Sequence, residues 1–405
     1  METHQKAFLE ILRCAMAGEP VRGMESLTEA DWQRIAELAP IHKVLPLVGD
    51  AVHPVSGARE CFSARKPEIR RQVMLQAQRT HAFLELNRKF REAGIRVLVV
   101  KGIVCRSLYP KGDLRLSADE DLLVAPGYLD RAKAVLETMG LSTAEQSPEA
   151  YEYPYRDPHG PLYIELHAHL FPPDSEAYGS WNGYFRQVFD RAEVIQIQGE
   201  PMQTMAPSDH MLYLILHAFK HFLHSGVGVR QVCDIVQCTN AWGSRVDWAA
   251  VMRCCREIRA DGFTKAVLTA GEKYLGLSRA ASGVPGDWLE MDAAPLLEDM
   301  LSGGLYGDSS RSRKQSSNMT LDAVTADKRG KRQGGSLFGS LFPKAEKLEG
   351  RYPYLKDQPW LLPVAWTDRI IHYAGELKIS PGQAAETVAI GNRRLELLRK
   401  YGVID

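Results

Sequence analysis

The sequence predicts an α+β fold in which a small mixed sheet is flanked by helical regions at its N-terminal and C-terminal sides. Apolar residues recur at helical spacing through residues 1–93 and again through 207–303. Between these regions, short apolar or alternating segments bounded by Gly, Pro and Asp are typical of strands. With 405 residues, the chain is long enough for two or three domains.

The helical N-terminal module is predicted from apolar spacing in residues 3–18 and 67–93. Thr28 has the features of a helix start, because its hydroxyl can cap the first turn and acidic residues follow it. Gly94 is expected to end the last helix of the module, just before a buried strand over 96–100.

The central region alternates between predicted strands and helices. After the strand at 96–100 we expect a helix over 103–109, a strand over 119–124 and a helix over 127–139. Two hairpins should follow, because turn-forming residues separate two pairs of strand-like segments. The paired segments are 151–156 with 162–170, and 194–198 with 202–205.

The domain boundaries follow from shifts in composition. Residues 304–350 are rich in Gly, Ser, Lys and Arg, which favours a mobile loop over a core element. The predicted regions are a helical N-terminal module (1–93), a central mixed-sheet domain (94–206), a helical domain (207–303), the mobile loop (304–350), and a C-terminal aromatic and helical segment (351–405).

Composition limits the partners and the compartment. Lys plus Arg equals Asp plus Glu at 50 each, so no overall charge attracts a long nucleic acid. The seven cysteines form no C-x-x-C pair, which indicates reduced thiols. Neither a membrane-spanning apolar run nor a secretory signal pattern is present, so we expect a cytoplasmic protein without a membrane partner.

The main candidate for chemistry is the pair Asp119 and Asp121, at the start of the strand predicted over 119–124. Alternate strand residues point to the same face, which places the two Cα atoms roughly 6.5–7 Å apart. Carboxylates so placed can share one hard divalent cation or hold two. Upstream, Lys101 and Gly102 end the first strand, where backbone N–H groups at the following helix could approach a phosphate.

A third carboxylate, Glu165, lies in the predicted strand over 162–170. Apolar residues occupy its even positions and polar residues its odd positions, which indicates one buried face and one open face. Glu165 and His167 share the open face, where we assign His167 no direct chemistry. A solvated polar face is the alternative interpretation for Glu165, as it is for the two aspartates.

Taken in order, these segments resemble the uncharacterised nucleotidyltransferase family within the DNA polymerase beta superfamily. The resemblance extends over most of the chain. It is seen in Leu98-Val99-Val100-Lys101-Gly102, Leu108-Tyr109-Pro110, Arg115, Asp119, Asp121, Ile164-Glu165-Leu166-His167 and Leu216-His217-Ala218-Phe219-Lys220-His221, and late in the chain in Phe342-Pro343, Arg351-Tyr352-Pro353-Tyr354-Leu355 and Leu362-Pro363-Val364-Ala365-Trp366.

The resemblance implies that the central region is a nucleotidyltransferase catalytic domain using Mg²⁺, with two ions expected. Asp119, Asp121 and Glu165 would be both metal ligands and catalytic residues. The nucleoside triphosphate would be bound by Lys101, Gly102, Arg115 and Lys220. The other substrate would be a hydroxyl or similar group on a small molecule, peptide or protein that the sequence does not identify.

Two features leave alternatives open. Glu120 stands where family members usually carry an apolar residue, so the chain could instead be a catalytically attenuated nucleotide-binding or regulatory protein. His217, Lys220, His221 and His224 share one helix face, and histidines four apart can bind zinc. Because no H-E-x-x-H pattern or suitably spaced cysteine accompanies them, structural or substrate-contacting roles are favoured.

Overall fold

The computed structural model describes residues 1–144, 150–224, 226–304, 311–328, 348, 352–355, 358–366, 368 and 381–405. The N-terminal module is helical, as predicted. The Oγ1 atom of Thr28 accepts the N–H of Asp31 at 3.2 Å, which confirms the predicted helix start. The helices are α1 (Thr3–Ala17), α2 (Glu29–Ile41), α3 (Leu45–Ala51), α4 (Arg59–Ser63) and the long α5 (Lys66–Glu92).

A six-stranded mixed sheet forms the centre of the fold, with strand order β3-β4-β2-β1-β6-β5. Both predicted hairpins are confirmed, since β3 pairs with β4 and β5 with β6 in antiparallel fashion. The strands are β1 (Val97–Val99), β2 (Glu120–Val124), β3 (Glu152–Arg156), β4 (Tyr163–His167), β5 (Glu193–Ile197) and β6 (Glu200–Thr204).

The sheet separates two layers of the core. One face packs on α5 and on α7 (Leu129–Thr138), burying Leu122, Ile164 and Leu166 against Phe83 and other apolar side chains of these helices. The opposite face buries Leu98 and Leu123 in a larger core that extends into the N-terminal and the later helices. Successive residues of β2 and β4 therefore point into different layers.

The helical region after the sheet is also confirmed, and its first helix covers the sheet face opposite α5. The short helix α6 (Ile103–Arg106) follows β1 and ends three residues earlier than predicted. The later helices are α8 (Pro207–His224), α9 (Val229–Trp242), α10 (Trp248–Glu257), α11 (Asp261–Tyr274), α12 (Arg279–Ser282) and α13 (Ala294–Gly303).

The prediction of a mobile loop does not hold for residues 311–328, which form helix α14 (Arg311–Lys328). Its buried positions include the polar residues Arg313, Ser316 and Thr320, which apolar spacing does not reveal. Thr320 donates its hydroxyl to the carbonyl of Leu223 at 2.7 Å, and Arg313 forms a buried ion pair with Asp299. Residues 305–310, 329–347 and 349–350 lie outside the described residues, so the loop there stays a prediction. A last helix, α15 (Pro381–Lys400), follows.

Two further expectations need correction. Asp119 lies just before β2, which begins at Glu120, and not within it. The polar face of β4 is not open, because α8 packs across it and leaves His167 only 4% exposed. Alternation along one strand shows two faces but cannot show whether a helix covers the polar one. Among the described helices, none is long and apolar enough to cross a membrane.

Candidate active site

The parallel pairing of β2 and β4 brings two of the predicted carboxylates together. Asp121 lies directly opposite Glu165 in the register of these strands, and the charges of both carboxylates act on Tyr213 of α8. Because β4 follows β2 by some forty residues, neither spacing nor alternation could establish this neighbour relation. The structure therefore places Glu165 beside Asp121, as the resemblance implied.

A third side chain, His167, completes a group that could hold a metal ion. Ligand atoms of Asp121, Glu165 and His167 all lie within 4.8 Å of one another. The Nε2 atom of His167 is 3.3 Å from Oδ1 of Asp121 and 3.8 Å from Oε2 of Glu165. Oδ2 of Asp121 is buried without a hydrogen-bond partner in the described structure, as expected of an oxygen that binds a cation.

This group differs from the predicted metal ligands by one residue. Asp119 is not a member of it, and His167 takes the third position. The sequence contained a signal for His167, since it shares a strand face with Glu165, but polar residues on such faces are commonly only solvated. The histidines of α8 are not part of any metal-capable group found among the described residues.

Lys101 connects the two aspartates. Its Nζ atom is 3.0 Å from Oδ1 of Asp121 and 3.8 Å from Oδ2 of Asp119. Burial raises the pKa of Asp121, but the charge of Lys101 and the hydrogen bond from His167 outweigh burial and leave this pKa below its usual range. Asp121 is therefore ionised at neutral pH.

Glu165 has the opposite electrostatic environment. Burial, together with the negative charges of Asp121 and Asp119, raises the pKa of Glu165 to about 9. Two adjacent carboxylates with divergent pKa values are typical of sites that bind a cation or transfer protons. This arrangement favours any positive charge that enters between them.

His217 of α8 lies on the other side of Lys101, with 3.5 Å between its Nε2 atom and Nζ of Lys101. Burial and the charge of Lys101 hold the pKa of His217 well below its usual range, so the ring is neutral and accepts from the ammonium group. His217 thus helps to orient Lys101 toward the aspartates. The sequence indicated only that His217 belonged to the polar face of a helix.

Glu120, the residue that departs from the family pattern, points into the layer opposite the carboxylate group. Its side chain is fully buried, forms an ion pair with Arg106 at 2.6 Å, and accepts the N–H of Ile103 at 2.7 Å. Gly102 has a φ of +55°, and a Cβ atom there would lie 1.9 Å from the Glu120 carboxylate. Glu120 therefore fixes the turn that carries Lys101, and it uses an N–H that the sequence had assigned to phosphate.

Arg115 makes a buried structural contact. Its guanidinium group forms a bidentate ion pair with Asp234 of α9, donating from Nε at 3.0 Å and also from Nη2. The hydroxyl of Tyr109 donates to the same carboxylate at 2.9 Å. These contacts join the loop before β2 to α9, and they occupy donors of Arg115 that the sequence had assigned to the nucleotide.

Lys220 lies at the edge of the group, one helical turn beyond His217. Its Nζ atom is 6.0 Å from the ring centre of Tyr151 and 5.8 Å from that of Tyr178, within the range of cation–π attraction. Burial lowers the pKa of Lys220, and the nearby carboxylate of Glu152 partly opposes this shift. Its role in nucleotide binding stays a prediction.

Comparison with known proteins identifies the family of this chain. The model of a family described as uncharacterised nucleotidyltransferase matches residues 28–276, more than half of the chain. An antigenic nucleotidyltransferase-like protein from Paracoccidioides brasiliensis is 14% identical in sequence. The alignment covers 51% of this chain and 98% of that protein with a TM-score of 0.32, which is too weak to support an argument. No curated protein matches the sequence. From the family match, this chain belongs to the uncharacterised nucleotidyltransferase family.

Proposed function

We propose that this protein is a cation-dependent enzyme that transfers a nucleotidyl group from a nucleoside triphosphate to a hydroxyl or similar acceptor, releasing pyrophosphate. Family membership supports nucleotidyl transfer as the general activity. The observation that most favours the proposal is the in-register pairing of Asp121 with Glu165, since it joins two carboxylates from separate segments on a buried sheet face.

The donor set fits a divalent cation. Two carboxylates and one imidazole converge within 4.8 Å, and the buried Oδ2 atom of Asp121 lacks a hydrogen-bond partner among the described residues. Asp121, Glu165 and His167 would hold the cation, and Asp119, which shares Lys101 as an ion-pair partner with Asp121, would contribute to a second position. A bound Mg²⁺ or Mn²⁺ supplies charge stabilisation to the phosphoryl oxygens and lowers the pKa of the acceptor hydroxyl.

The side chains of the protein have separate roles in this proposal. Lys101 offsets the negative charge of the triphosphate, and neutral His217 orients its ammonium group. Glu165 accepts the acceptor's proton. Since its pKa is raised to about 9, Glu165 must first lose its own proton, so cation binding and proton release are linked.

The alternative of a catalytically attenuated binding protein was based on Glu120. That side chain points into the layer opposite Asp121 and is fully engaged with Arg106 and the N–H of Ile103. It therefore does not intrude on the carboxylate group. This removes the specific reason for favouring lost activity.

The test is release of pyrophosphate from nucleoside triphosphates with Mg²⁺ or Mn²⁺ and a panel of acceptors. Mass spectrometry of ligands that copurify with the protein can identify members of the panel. Asp121→Asn should abolish turnover and also the rise in melting temperature that the cation produces in the wild type. Asp130→Asn, which makes the same change at an exposed position of α7, should behave as the wild type. Unchanged turnover in Asp121→Asn would refute the assignment.

A further inference from the structure

The imidazole ring of His167 has a second nitrogen that the proposed function leaves unexplained. Its Nε2 atom faces Asp121 and Glu165 and so belongs to the metal-capable group. Its Nδ1 atom is buried and has no hydrogen-bond partner among the described residues. A buried polar atom without a partner is costly, so this nitrogen needs a partner in the state that functions.

Glu152 presents a carboxylate to this nitrogen. It belongs to β3, where it lies directly opposite His167 in the antiparallel register with β4. Its Oε2 atom is 3.8 Å from Nδ1 of His167, and its side chain is only 25% exposed. Because a hydrogen bond of this type spans about 2.9 Å, a shift of about 1 Å within the flexible glutamate side chain closes the gap.

Two neighbours keep the Glu152 carboxylate beside the ring. Its charge opposes the effect of burial on the pKa of Lys220, so the two charges attract each other. The ring centre of Tyr151 is 6.4 Å from that of His167, and the charge of Glu152 adds to burial in raising the pKa of the Tyr151 hydroxyl. The carboxylate is therefore held among an ammonium group, a phenol and the imidazole.

The position of the ring proton decides what His167 requires. The Nε2 atom is 3.3 Å from Oδ1 of Asp121, so a proton on Nε2 is donated to that carboxylate. Binding a cation at Nε2 requires a lone pair there, which places the ring proton on Nδ1. Histidines that bind metals commonly donate this other N–H to a carboxylate, which fixes the ring and makes the ligand nitrogen more basic.

We propose that Glu152 is a positioning residue that accepts the Nδ1 proton of His167 in a hydrogen bond and so directs the lone pair of Nε2 toward the cation. The proposal rests on the cation site of the proposed function, but not on the nucleotide or its transfer. Since Glu152 acts through His167, the effects of the two residues on cation affinity depend on each other.

The test is calorimetric titration of the nucleotide-free protein with Mn²⁺, comparing the wild type with Glu152→Met and Glu152→Gln. Both substitutions remove the negative charge, but only Glu152→Gln keeps an oxygen acceptor. Glu152→Met should bind Mn²⁺ about ten- to a hundredfold more weakly than the wild type. Glu152→Gln should bind it at least about threefold more tightly than Glu152→Met. Glu85→Met, which removes a carboxylate from an exposed position of α5, should bind as the wild type does.

A second comparison separates positioning from a general effect on charge or folding. In a protein that already carries His167→Gln, adding Glu152→Met should change the affinity for Mn²⁺ by less than about twofold, because the group that Glu152 positions is gone. A residue that merely attracts the cation, or merely stabilises the sheet, would cost the same affinity in both backgrounds.

Each outcome decides the proposal. Equal affinities of Glu152→Gln and Glu152→Met, an undiminished loss in the His167→Gln background, or no binding of Mn²⁺ to the wild type would overturn it. Should Glu152→Met lack a cooperative thermal transition, Glu152→Ala gives the same comparison. The expected affinities without any nucleotidyl transfer would reject the proposed function and keep the role of Glu152. Transfer with wild-type affinity for Mn²⁺ in every Glu152 variant would do the reverse.

Discussion

The buried ion pair between Arg106 and Glu120 allows a quantitative test of how the Lys101 turn is held. The two side chains are 2% and 0% exposed, so neither charge is solvated by water. Glu120→Leu removes the carboxylate and leaves the Arg106 guanidinium buried beside Ser117 and the N–H of Ile103. Breaking a buried pair on one side costs about 3–5 kcal/mol, a large part of the about 5–15 kcal/mol that stabilises a typical domain.

Removing both charges should restore part of this loss. In the double variant Glu120→Leu with Arg106→Met, neither charge of the pair remains, and the Ile103 N–H and the Ser117 hydroxyl lose the acceptor that Glu120 provided. We expect this variant to be about 2 kcal/mol more stable than Glu120→Leu alone, since apolar replacements of a buried pair are often nearly neutral. A higher stability of the double variant would show that the ion pair, and not the bulk of either side chain, holds the turn.

The assay is urea unfolding, followed by circular dichroism and tryptophan fluorescence so that coincident transitions can be verified. For a slope of about 3 kcal/mol/M, the midpoint of Glu120→Leu should fall by roughly 1–2 M. Glu85→Gln, which removes a carboxylate charge from an exposed position of α5, should leave the midpoint unchanged. A loss below about 1 kcal/mol, or a double variant no more stable than the single one, would refute the reasoning.

Three further predictions follow from the same structure. Gly102→Ala should destabilise the protein by clearly more than Gly94→Ala, because both glycines have positive φ values but only at Gly102 would the new Cβ atom meet a carboxylate; equal melting temperatures would contradict this. His167→Gln should weaken Mn²⁺ binding at least tenfold in calorimetry, whereas the exposed His169→Gln should not, and equal affinities would remove His167 from the ligand group. Burial lowers the pKa of His42 to about 4, so its contribution to stability is present above about pH 6.5 and is lost as pH falls toward 4. Between pH 7 and pH 4.5, His42→Leu should therefore lose roughly 2 kcal/mol less stability than the wild type in urea titrations, and equal losses would refute this.

Much of the fold could be predicted because local patterns determine it. The apolar spacing of α1 and α5, the Thr28 cap and the turn-bounded segments of both hairpins all agree with the structure. Helix α14 could not be predicted in this way. Its buried positions include Arg313, Ser316 and Thr320, which are stabilised by specific tertiary contacts and not by apolar periodicity.

The candidate site was only partly predictable for a related reason. Asp121 and Glu165 were identified from the resemblance, but their pairing depends on which strands lie side by side, which is a property of the whole sheet. His167 belongs to the metal-capable group because its Nε2 atom lies 3.3 Å from Asp121 of the neighbouring strand, whereas the sequence of β4 alone favoured a solvated face. Glu120 departs from the apolar residue of the family pattern, and its buried ion pair could not be predicted because its partner, Arg106, is fourteen residues away.

Lys101 lies between the carboxylate group and the turn that Glu120 fixes. Its Nζ atom is 3.0 Å from Oδ1 of Asp121. On the proposed function, a cation at the carboxylates would repel this ammonium group, and the phosphate oxygens of the substrate would attract it. Both effects would move the Lys101 side chain away from Asp121, while the contacts of Glu120 with Arg106 and with the N–H of Ile103 hold the backbone of the turn in place.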